Sequence, residues 1–316
     1  MFWHRFASMI VLLGLLGLTL WNSFPGKMAY LVFGTFLVVF MIRELADMLK
    51  NIDIIIREKS VRWISFLFFI LFAFIFLDIE EYAKEILLFF SDSEIEKFAV
   101  YFIIILLPAV ILYYSILLVK SVNSPEKLKS IVGSIFVNIF VVIPVLLITL
   151  IYSAGTQKNY DTQNFNALFL FFILVTKSGD IGAYIVGSLS GKILPGGNHK
   201  LIPQVSPGKS FEGVIGGLLF SIGISYLINH FFGIFEGEYA ISFVILFGAV
   251  LYCSGMYGDL VESSIKRTCK VKDSGKTIPG IGGIYDLLDS LFLAAPFMYA
   301  LIKVCDLPFK RCLSLW

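Results

Sequence analysis

The chain has 316 residues, of which 58% are hydrophobic, 16% aromatic and only 15% charged, and its formal net charge is +2. A soluble domain is about half apolar and about a quarter charged, so this composition excludes an ordinary soluble protein and indicates an integral membrane protein. The four cysteines, Cys253, Cys269, Cys305 and Cys312, show no CxxC spacing, which argues against a disulfide framework or a zinc site.

Nine apolar windows, most of them near the ~20 residues that a helix needs to cross a bilayer, predict an all-α fold: a polytopic transmembrane bundle of about nine helices. The windows fall near residues 6–22, 28–42, 62–79, 98–119, 131–153, 167–188, 213–232, 239–257 and 284–303. No small-x-small cleavage pattern follows the first window, so we expect a retained helix rather than a signal peptide.

The loops between these windows alternate in charge. Lysines and arginines gather after the second, fourth, sixth and eighth windows, whereas acidic residues such as Glu80, Glu94 and Glu236 occupy the intervening loops. An excess of Lys and Arg marks the cytoplasmic side, which predicts an internal N-terminus and an external C-terminus. Lys310 and Arg311 in the tail run against this rule, which leaves a miscounted span as the alternative.

We divide the chain into an N-terminal region, 1–165, with helices one to five, a C-terminal catalytic region, 166–304, and a tail, 305–316. Segment 43–62, RELADMLKNIDIIIREKSVR, spaces apolar residues among charges. This pattern predicts either an amphipathic helix at the membrane interface or a plain cytoplasmic connector.

Three polar islands interrupt the apolar second half: KSGDIGAY at 177–184, SPGKSFEGVIGG at 206–217 and GDLVESSIKRTCKVKDSGKTIPGIGGIYDLLDS at 258–290. The third island combines four aspartates with five cations and several glycines. Carboxylates hold divalent metals, cations neutralise phosphate, and glycines let backbone N–H groups approach phosphate oxygens. These islands predict chemistry on a nucleotide at the cytoplasmic face of a membrane.

The carboxylates of the third island are candidate metal ligands. Asp259 lies just beyond the eighth window and Glu262 follows three residues later, so both share a face if the helix continues. Asp273 lies in the cationic loop, and a carboxylate at a membrane boundary is usually paired or functional. We expect Asp259 and Asp273 to converge on a metal ion; the alternative is that both only pair with neighbouring lysines.

Asp286 and Asp289 begin the last helix, after a proline and three glycines. The free N–H groups of such a helix start suit phosphate, but aspartates repel phosphate unless a cation lies between them. The alternative is that both aspartates only complement the helix dipole.

The first two islands carry further candidates. Asp180 follows Lys177 by one helical turn and either forms an ion pair with it or lines a nucleotide or metal pocket. Lys209 is a candidate phosphate contact, and Glu212 begins the seventh helix. Ser206-Pro207-Gly208 is also typical of a plain turn.

The third island resembles the signature of the phosphatidate cytidylyltransferases, the CDP-diacylglycerol synthases. In outline that signature reads Ser-x-apolar-Lys-Arg, four residues, Lys-Asp, then Pro-Gly-His-Gly-Gly and Asp-Arg-apolar-Asp. It matches at Ser263, Ile265, Lys266, Arg267, Lys272, Asp273, Pro279, Gly280, Gly282, Gly283, Asp286 and Asp289. Ile281 stands where the family has histidine and Leu287 where it has arginine. GDLVES, DIGAY and SPGKSFEG resemble three further family motifs, so the resemblance covers about residues 170–300.

The resemblance implies a multi-pass enzyme of a bacterial inner membrane, a homodimer, that converts CTP and phosphatidate into CDP-diacylglycerol and pyrophosphate. It implies Mg²⁺, with K⁺ as a second metal, held by Asp259 and Asp273, and no nucleic acid partner. The expected catalytic residues are Asp259, Asp273, Lys266, Arg267 and Lys272. The expected substrate-binding residues are Asp180, Lys209, Glu212, Ser263, Lys276, Gly280, Gly282, Gly283, Asp286 and Asp289.

The chemistry of the residues agrees with this reaction. A phosphate monoester is largely dianionic near neutral pH because its second pKa is about 6, so the nucleophile needs no general base. The difficulty is the attack of one anion on another, which metal ions and a cationic loop relieve. One alternative is another CTP-dependent lipid cytidylyltransferase or kinase. A cation-coupled transporter is the other, although it would spread its carboxylates along the bilayer normal.

Overall fold

The computed structural model describes residues 2–21, 23–77, 92–121, 124–156, 165–195, 197–280 and 282–313. These residues form helices α1 (Phe2–Leu20), α2 (Phe24–Lys50), α3 (Glu58–Phe76), α4 (Asp92–Val119), α5 (Pro125–Thr156), α6 (Ala167–Ile193), α7 (Phe211–Phe232), α8 (Ala240–Thr268) and α9 (Ile284–Leu313). A hairpin of β1 (Lys200–Ile202) and β2 (Ser206–Ser210) lies between α6 and α7. The predicted all-α fold class is confirmed.

Each predicted apolar window falls on a different helix, within the part of the chain that the structure describes. Six described helices are long and apolar enough to cross a membrane: Phe24–Lys50, Pro125–Thr156, Ala167–Ile193, Phe211–Phe232, Ala240–Thr268 and Ile284–Val304. The chain is therefore a multi-pass integral membrane protein. Shorter apolar helices occur at Ala7–Leu20 and Leu106–Val119, and a total of nine spans stays a prediction.

Segment 43–62 does not form a helix of its own. Its first residues complete α2, where Leu45, Ala46 and Leu49 continue the buried face, and its last residues begin α3. Residues 51–57 between them are not helical, and Asp53 has a positive φ of 60°. Segment 43–62 therefore consists of the end of α2, a short non-helical stretch and the start of α3, and whether it lies at the membrane interface or is a plain connector stays a prediction.

The chain divides into two compact units. One comprises Met1–Ser153 and Thr268–Leu287, and the other comprises Ala154–Arg267 and Leu288–Trp316. Residues 268–287, which the sequence-based division placed in the C-terminal region, belong to the first unit.

Polar contacts between helices hold the first unit together. The rings of Tyr30 and Tyr152 stack with centroids 4.1 Å apart, which joins α2 to α5. The Tyr30 hydroxyl shares a 3.0 Å hydrogen bond with Thr149, and the Tyr152 hydroxyl donates to the Thr19 carbonyl at 2.8 Å. Such buried hydrogen bonds stabilise helix association where lipid offers no competing partner.

Small residues bring the helices of the second unit close together. A Cβ at Gly182 on α6 would collide with Phe220 on α7, and one at Gly216 on α7 would collide with Val186 on α6. Ser221 donates to the carbonyls of Val175 on α6 and Gly248 on α8, at 2.9 and 3.0 Å. This close packing fixes the middle of α6, the start of α7 and the end of α8, which carry residues of the polar islands.

Candidate active site

Three carboxylates meet where α8 and α9 pack together in the second unit. Single ligand atoms of Asp259, Glu262 and Asp289 all lie within 4.8 Å of one another. Gly258 permits this approach, because a Cβ there would lie 2.6 Å from the Asp289 carbonyl oxygen. The expectation that Asp259 and Glu262 share one face of α8 is confirmed. Asp289, predicted as a substrate contact beside a cation, lies next to them.

Each of the three carboxylates has a lysine beside it. Lys209 of β2 lies 2.7 Å from Asp259, Lys177 of α6 lies 3.1 Å from Asp289, and Lys266 of α8 lies 2.8 Å from Glu262. These six side chains come from four elements, and we call them the carboxylate–lysine cluster. Because opposite charges alternate within it, the cluster can present both metal ligands and phosphate donors at one place.

The predicted pair of Lys177 and Asp180 is present but long, with 4.0 Å between nitrogen and oxygen. Lys177 makes its shorter contact with Asp289, at 3.1 Å. Asp180 therefore lies at the edge of the cluster, where it forms this long ion pair and also lines a cavity; that the cavity holds a nucleotide or a metal stays a prediction.

A cavity of about 230 Å³ adjoins the cluster, lined among others by Asp180, Lys209, Tyr252, Met256 and Asp259. Sites for whole small molecules usually measure about 300–1,000 Å³, so this cavity has room for part of a nucleotide rather than all of it. Lys209 can donate to a phosphate oxygen here, whereas Asp180 and Asp259 would repel phosphate unless a cation lies between them.

Tyr252 is a cavity residue that the sequence analysis missed. Its hydroxyl is buried and has no hydrogen-bond partner among the described residues. Its ring fills space that Gly179 and Gly217 leave open, since a Cβ at either glycine would collide with it. The sequence does not indicate this role, because Tyr252 lies within an apolar window and the two glycines that accommodate its ring lie on other helices.

The donor set of the cluster fits a hard divalent cation. Mg²⁺ binds carboxylate oxygens, usually one or two, and completes its shell with water and substrate phosphates. Asp259, Glu262 and Asp289 offer only oxygen ligands, so these residues could hold such an ion.

The signature loop, residues 269–283, belongs to the first unit and presents charged side chains to solvent. Lys272, Asp273 and Lys276 are exposed. Asp286 closes this loop, because its carboxylate accepts hydrogen bonds from the backbone N–H groups of Ser274 at 3.1 Å and Gly283 at 3.0 Å. The convergence of Asp259 and Asp273 on one metal stays a prediction.

Two glycines of the signature loop have backbone conformations that favour glycine, with φ of 80° at Gly280 and 136° at Gly282. Gly283 instead lacks space, since a Cβ there would lie 2.6 Å from a carboxylate oxygen of Glu44. Ile281, where the signature departs from the family, lies outside the described residues. The predicted substrate contacts of these glycines stay predictions.

The remaining candidates lie near helix ends. Arg267 is exposed at the end of α8, and Ser263 is half-buried one turn earlier. Glu212 accepts hydrogen bonds from the backbone N–H of His199 at 3.2 Å, and its Oε1 lies 2.6 Å from His199 Nδ1. It therefore fastens the segment before β1 to the start of α7. No spacing in the sequence groups His199 with Glu212.

Comparison with known proteins identifies relatives of the chain. Residues 3–305 match the cytidylyltransferase family. A phosphatidate cytidylyltransferase of Haemophilus influenzae is 41% identical over 144 residues, which cover 44% of this chain and 48% of the relative. A phosphatidate cytidylyltransferase of Staphylococcus epidermidis is 39% identical over 149 residues, 47% of this chain and 54% of the relative.

An uncharacterised protein of Escherichia coli, YnbB, is 38% identical over 138 residues, 44% of this chain and 43% of the relative. The chain thus spans about half the length of the curated relatives that it matches.

Proposed function

Because the chain belongs to the cytidylyltransferase family, we propose that it transfers CMP from CTP to phosphatidate, giving CDP-diacylglycerol and pyrophosphate. The observation that carries this proposal is the carboxylate–lysine cluster, which alternates metal ligands with phosphate donors beside a phosphate-sized cavity. The relatives named phosphatidate cytidylyltransferase support the choice of lipid.

The reaction is an in-line displacement at the α-phosphorus of CTP. A phosphate oxygen of phosphatidate forms the new P–O bond, the bond from the α-phosphorus to the bridging oxygen breaks, and pyrophosphate leaves with the electron pair. No proton need be removed from the nucleophile, because a phosphate monoester is mostly dianionic near neutral pH. The protein must therefore hold two polyanions together rather than supply a base.

Lys209 is suited to hold a phosphate of CTP. A lysine ammonium has three N–H donors. Lys209 donates to the Met256 carbonyl at 3.0 Å and forms an ion pair with the Asp259 carboxylate at 2.7 Å, which leaves a donor for a phosphate oxygen in the cavity. Lys177 and Lys266 are the other cations of the cluster, and Arg267, Lys272 and Lys276 are proposed to meet phosphates from the end of α8 and the signature loop.

We assign Mg²⁺ to this site, with K⁺ as a second metal, and Asp259 and Asp273 as ligands. A bound divalent ion would offset the charge on the attacking and leaving oxygens. Glu262 and Asp289 are further candidate ligands because they lie beside Asp259. We further propose that the site faces the cytoplasm of a bacterial cell and that the enzyme is a homodimer.

Purified protein incubated with labelled CTP and a panel of lipid phosphates tests the proposal. We expect label from the α-phosphate to enter CDP-diacylglycerol when phosphatidate is the acceptor, with release of pyrophosphate. An Asp259→Asn preparation controls for contaminating enzymes of the expression host. Exclusive labelling of an isoprenoid phosphate, or transfer of the γ-phosphate, would instead establish another CTP-dependent lipid enzyme.

A further inference from the structure

Glu44 on α2 is a buried acid outside the carboxylate–lysine cluster. Glu44 is only 4% exposed to solvent, and it lies beside Leu45 on the packed face of α2. A buried carboxylate is costly unless its oxygens are fully hydrogen-bonded. The partners of Glu44 therefore indicate why an acid occupies this position.

Four donors surround the Glu44 carboxylate, two on each oxygen. Oε1 accepts from the Thr277 hydroxyl and from the backbone N–H of Ile284 at 2.9 Å. Oε2 accepts from the Ser274 hydroxyl at 3.0 Å and from the backbone N–H of Tyr285 at 3.0 Å. Two donors belong to the signature loop and two to the first turn of α9, so a single carboxylate joins both segments to α2.

The signature loop packs tightly around this carboxylate. A Cβ at Gly275 would lie 2.6 Å from Oε1, and a Cβ at Gly283 would lie 2.6 Å from Oε2. Ser274 also donates its backbone N–H to Asp286, which binds Gly283 in turn. Glu44 and Asp286 thus fix the two ends of the stretch that carries Lys276 and directly follows Asp273.

We propose that Glu44 is a positioning residue for the transfer reaction: it sets the conformation in which the signature loop presents Asp273 and Lys276. This inference rests on the proposed function. Glu44 itself is fully engaged by protein donors, so it acts through the loop rather than on the substrate.

Glu44→Gln is the decisive variant. Each carboxylate oxygen receives a backbone N–H, so a glutamine in either orientation places its NH₂ group against a donor. Thr277→Val removes one hydroxyl donor at nearly constant shape, and Thr277→Ser restores it. Asp47→Asn, on the same helix, is the matched control, because Asp47 is exposed and pairs only with Lys50 among the described residues.

Hydrogen–deuterium exchange and steady-state kinetics are measured on the full-length protein. We expect Glu44→Gln to raise exchange in peptides covering 274–285 and leave α7 unchanged. We also expect kcat to fall and the Mg²⁺ concentration that gives half-maximal activity to rise. The two changes together should amount to about 10- to 100-fold, as for residues that orient metal ligands. Thr277→Val should show a smaller effect of the same kind, and Thr277→Ser and Asp47→Asn should match the wild type.

The outcomes separate this inference from the proposed function. Faster loop exchange with unchanged kcat and Mg²⁺ dependence would reduce Glu44 to a structural residue and overturn the positioning role. If Glu44→Gln fails to fold, equal kinetics for Thr277→Val and Thr277→Ser would overturn it. If the wild type forms no CDP-diacylglycerol, the proposed function fails and the role of Glu44 in the transfer reaction falls with it. The anchoring of the loop is judged separately by exchange, and unchanged loop exchange in Glu44→Gln would refute it.

Discussion

Lys209 serves two parts of the proposed chemistry, the metal site and the binding of phosphate. It neutralises Asp259 at 2.7 Å while lining the cavity that we assign to phosphate. The lysine therefore limits the repulsion between the carboxylate and an incoming polyanion.

Replacing Lys209 by methionine should lower kcat/KM for CTP by about 10- to 100-fold. The physical reason is the loss of a hydrogen bond between charged groups, which is worth about 1.5–3 kcal/mol. Titration of CTP in the transfer assay measures the effect. Lys192→Met, an exposed lysine in the last turn of α6, is the control and should behave as the wild type. Equal losses in both variants would mean that overall positive charge, rather than the cavity, attracts CTP.

Asp273→Asn tests the metal assignment of the signature loop. The change keeps the size of the side chain but removes the charge that Mg²⁺ requires, so turnover should fall by about a thousandfold or more. CTP affinity should fall less, because Lys266, Arg267 and Lys272 remain. Turnover is measured over a range of Mg²⁺ concentrations, with exposed Glu238→Gln as the control. Near-normal transfer and Mg²⁺ dependence in Asp273→Asn would remove this residue from the metal site.

At the scale of elements, hydropathy predicted the helices well because the membrane imposes one length and one polarity on each of them. The hairpin was missed because strands of three and five residues carry too little pattern to distinguish them from a turn. The continuation of α2 through Lys50 was missed because its charged residues near the end resemble an interfacial segment.

The candidate site was predictable where its residues are close in sequence. Asp259 and Glu262 could be paired from helical spacing, which the structure confirms. Glu44 could not be found in this way, since its partners begin 230 residues later at Ser274. Tyr252 likewise depends on glycines of two other helices. Such long-range packing leaves no periodic trace in one sequence.

Helix packing around Tyr252 gives a prediction at this scale. In Gly217→Ala the new methyl group would collide with the Tyr252 ring, so the ring or α7 must shift. Overpacking of this kind costs about 1–3 kcal/mol, and it should also disturb the cavity that Tyr252 lines. We expect a lower unfolding temperature in detergent and a lower kcat/KM for CTP.

Gly223→Ala on the same helix is the matched control for this prediction. A Cβ at Gly223 has nothing within 4 Å, so alanine should leave activity unchanged and stabilise α7 slightly. If Gly217→Ala were as stable and active as Gly223→Ala, the tight packing of Tyr252 against α7 would be wrong.

At the scale of the whole molecule, all three polar islands must face one side of the membrane if they act on cytosolic CTP. Their loops are rich in lysine and arginine, whereas the intervening loops, such as that with Glu236 and Glu238, are acidic. The charge rule therefore predicts that the islands face the cytoplasm. A transporter would have no need to gather them on one face.

Cysteine labelling from outside spheroplasts tests this arrangement. The four native cysteines are first replaced by serine; among them, Cys269 is a poor reporter because burial raises the pKa of its thiol. Single cysteines are then placed at Lys127, Glu236 and Lys270, which are all exposed, and labelling after the membrane is opened checks that each position can react. A membrane-impermeant maleimide should label position 236 in intact spheroplasts, and positions 127 and 270 only after the membrane is opened. Labelling of position 270 from outside would place the signature loop on the wrong side for cytosolic CTP, and the one-sided active site would have to be abandoned.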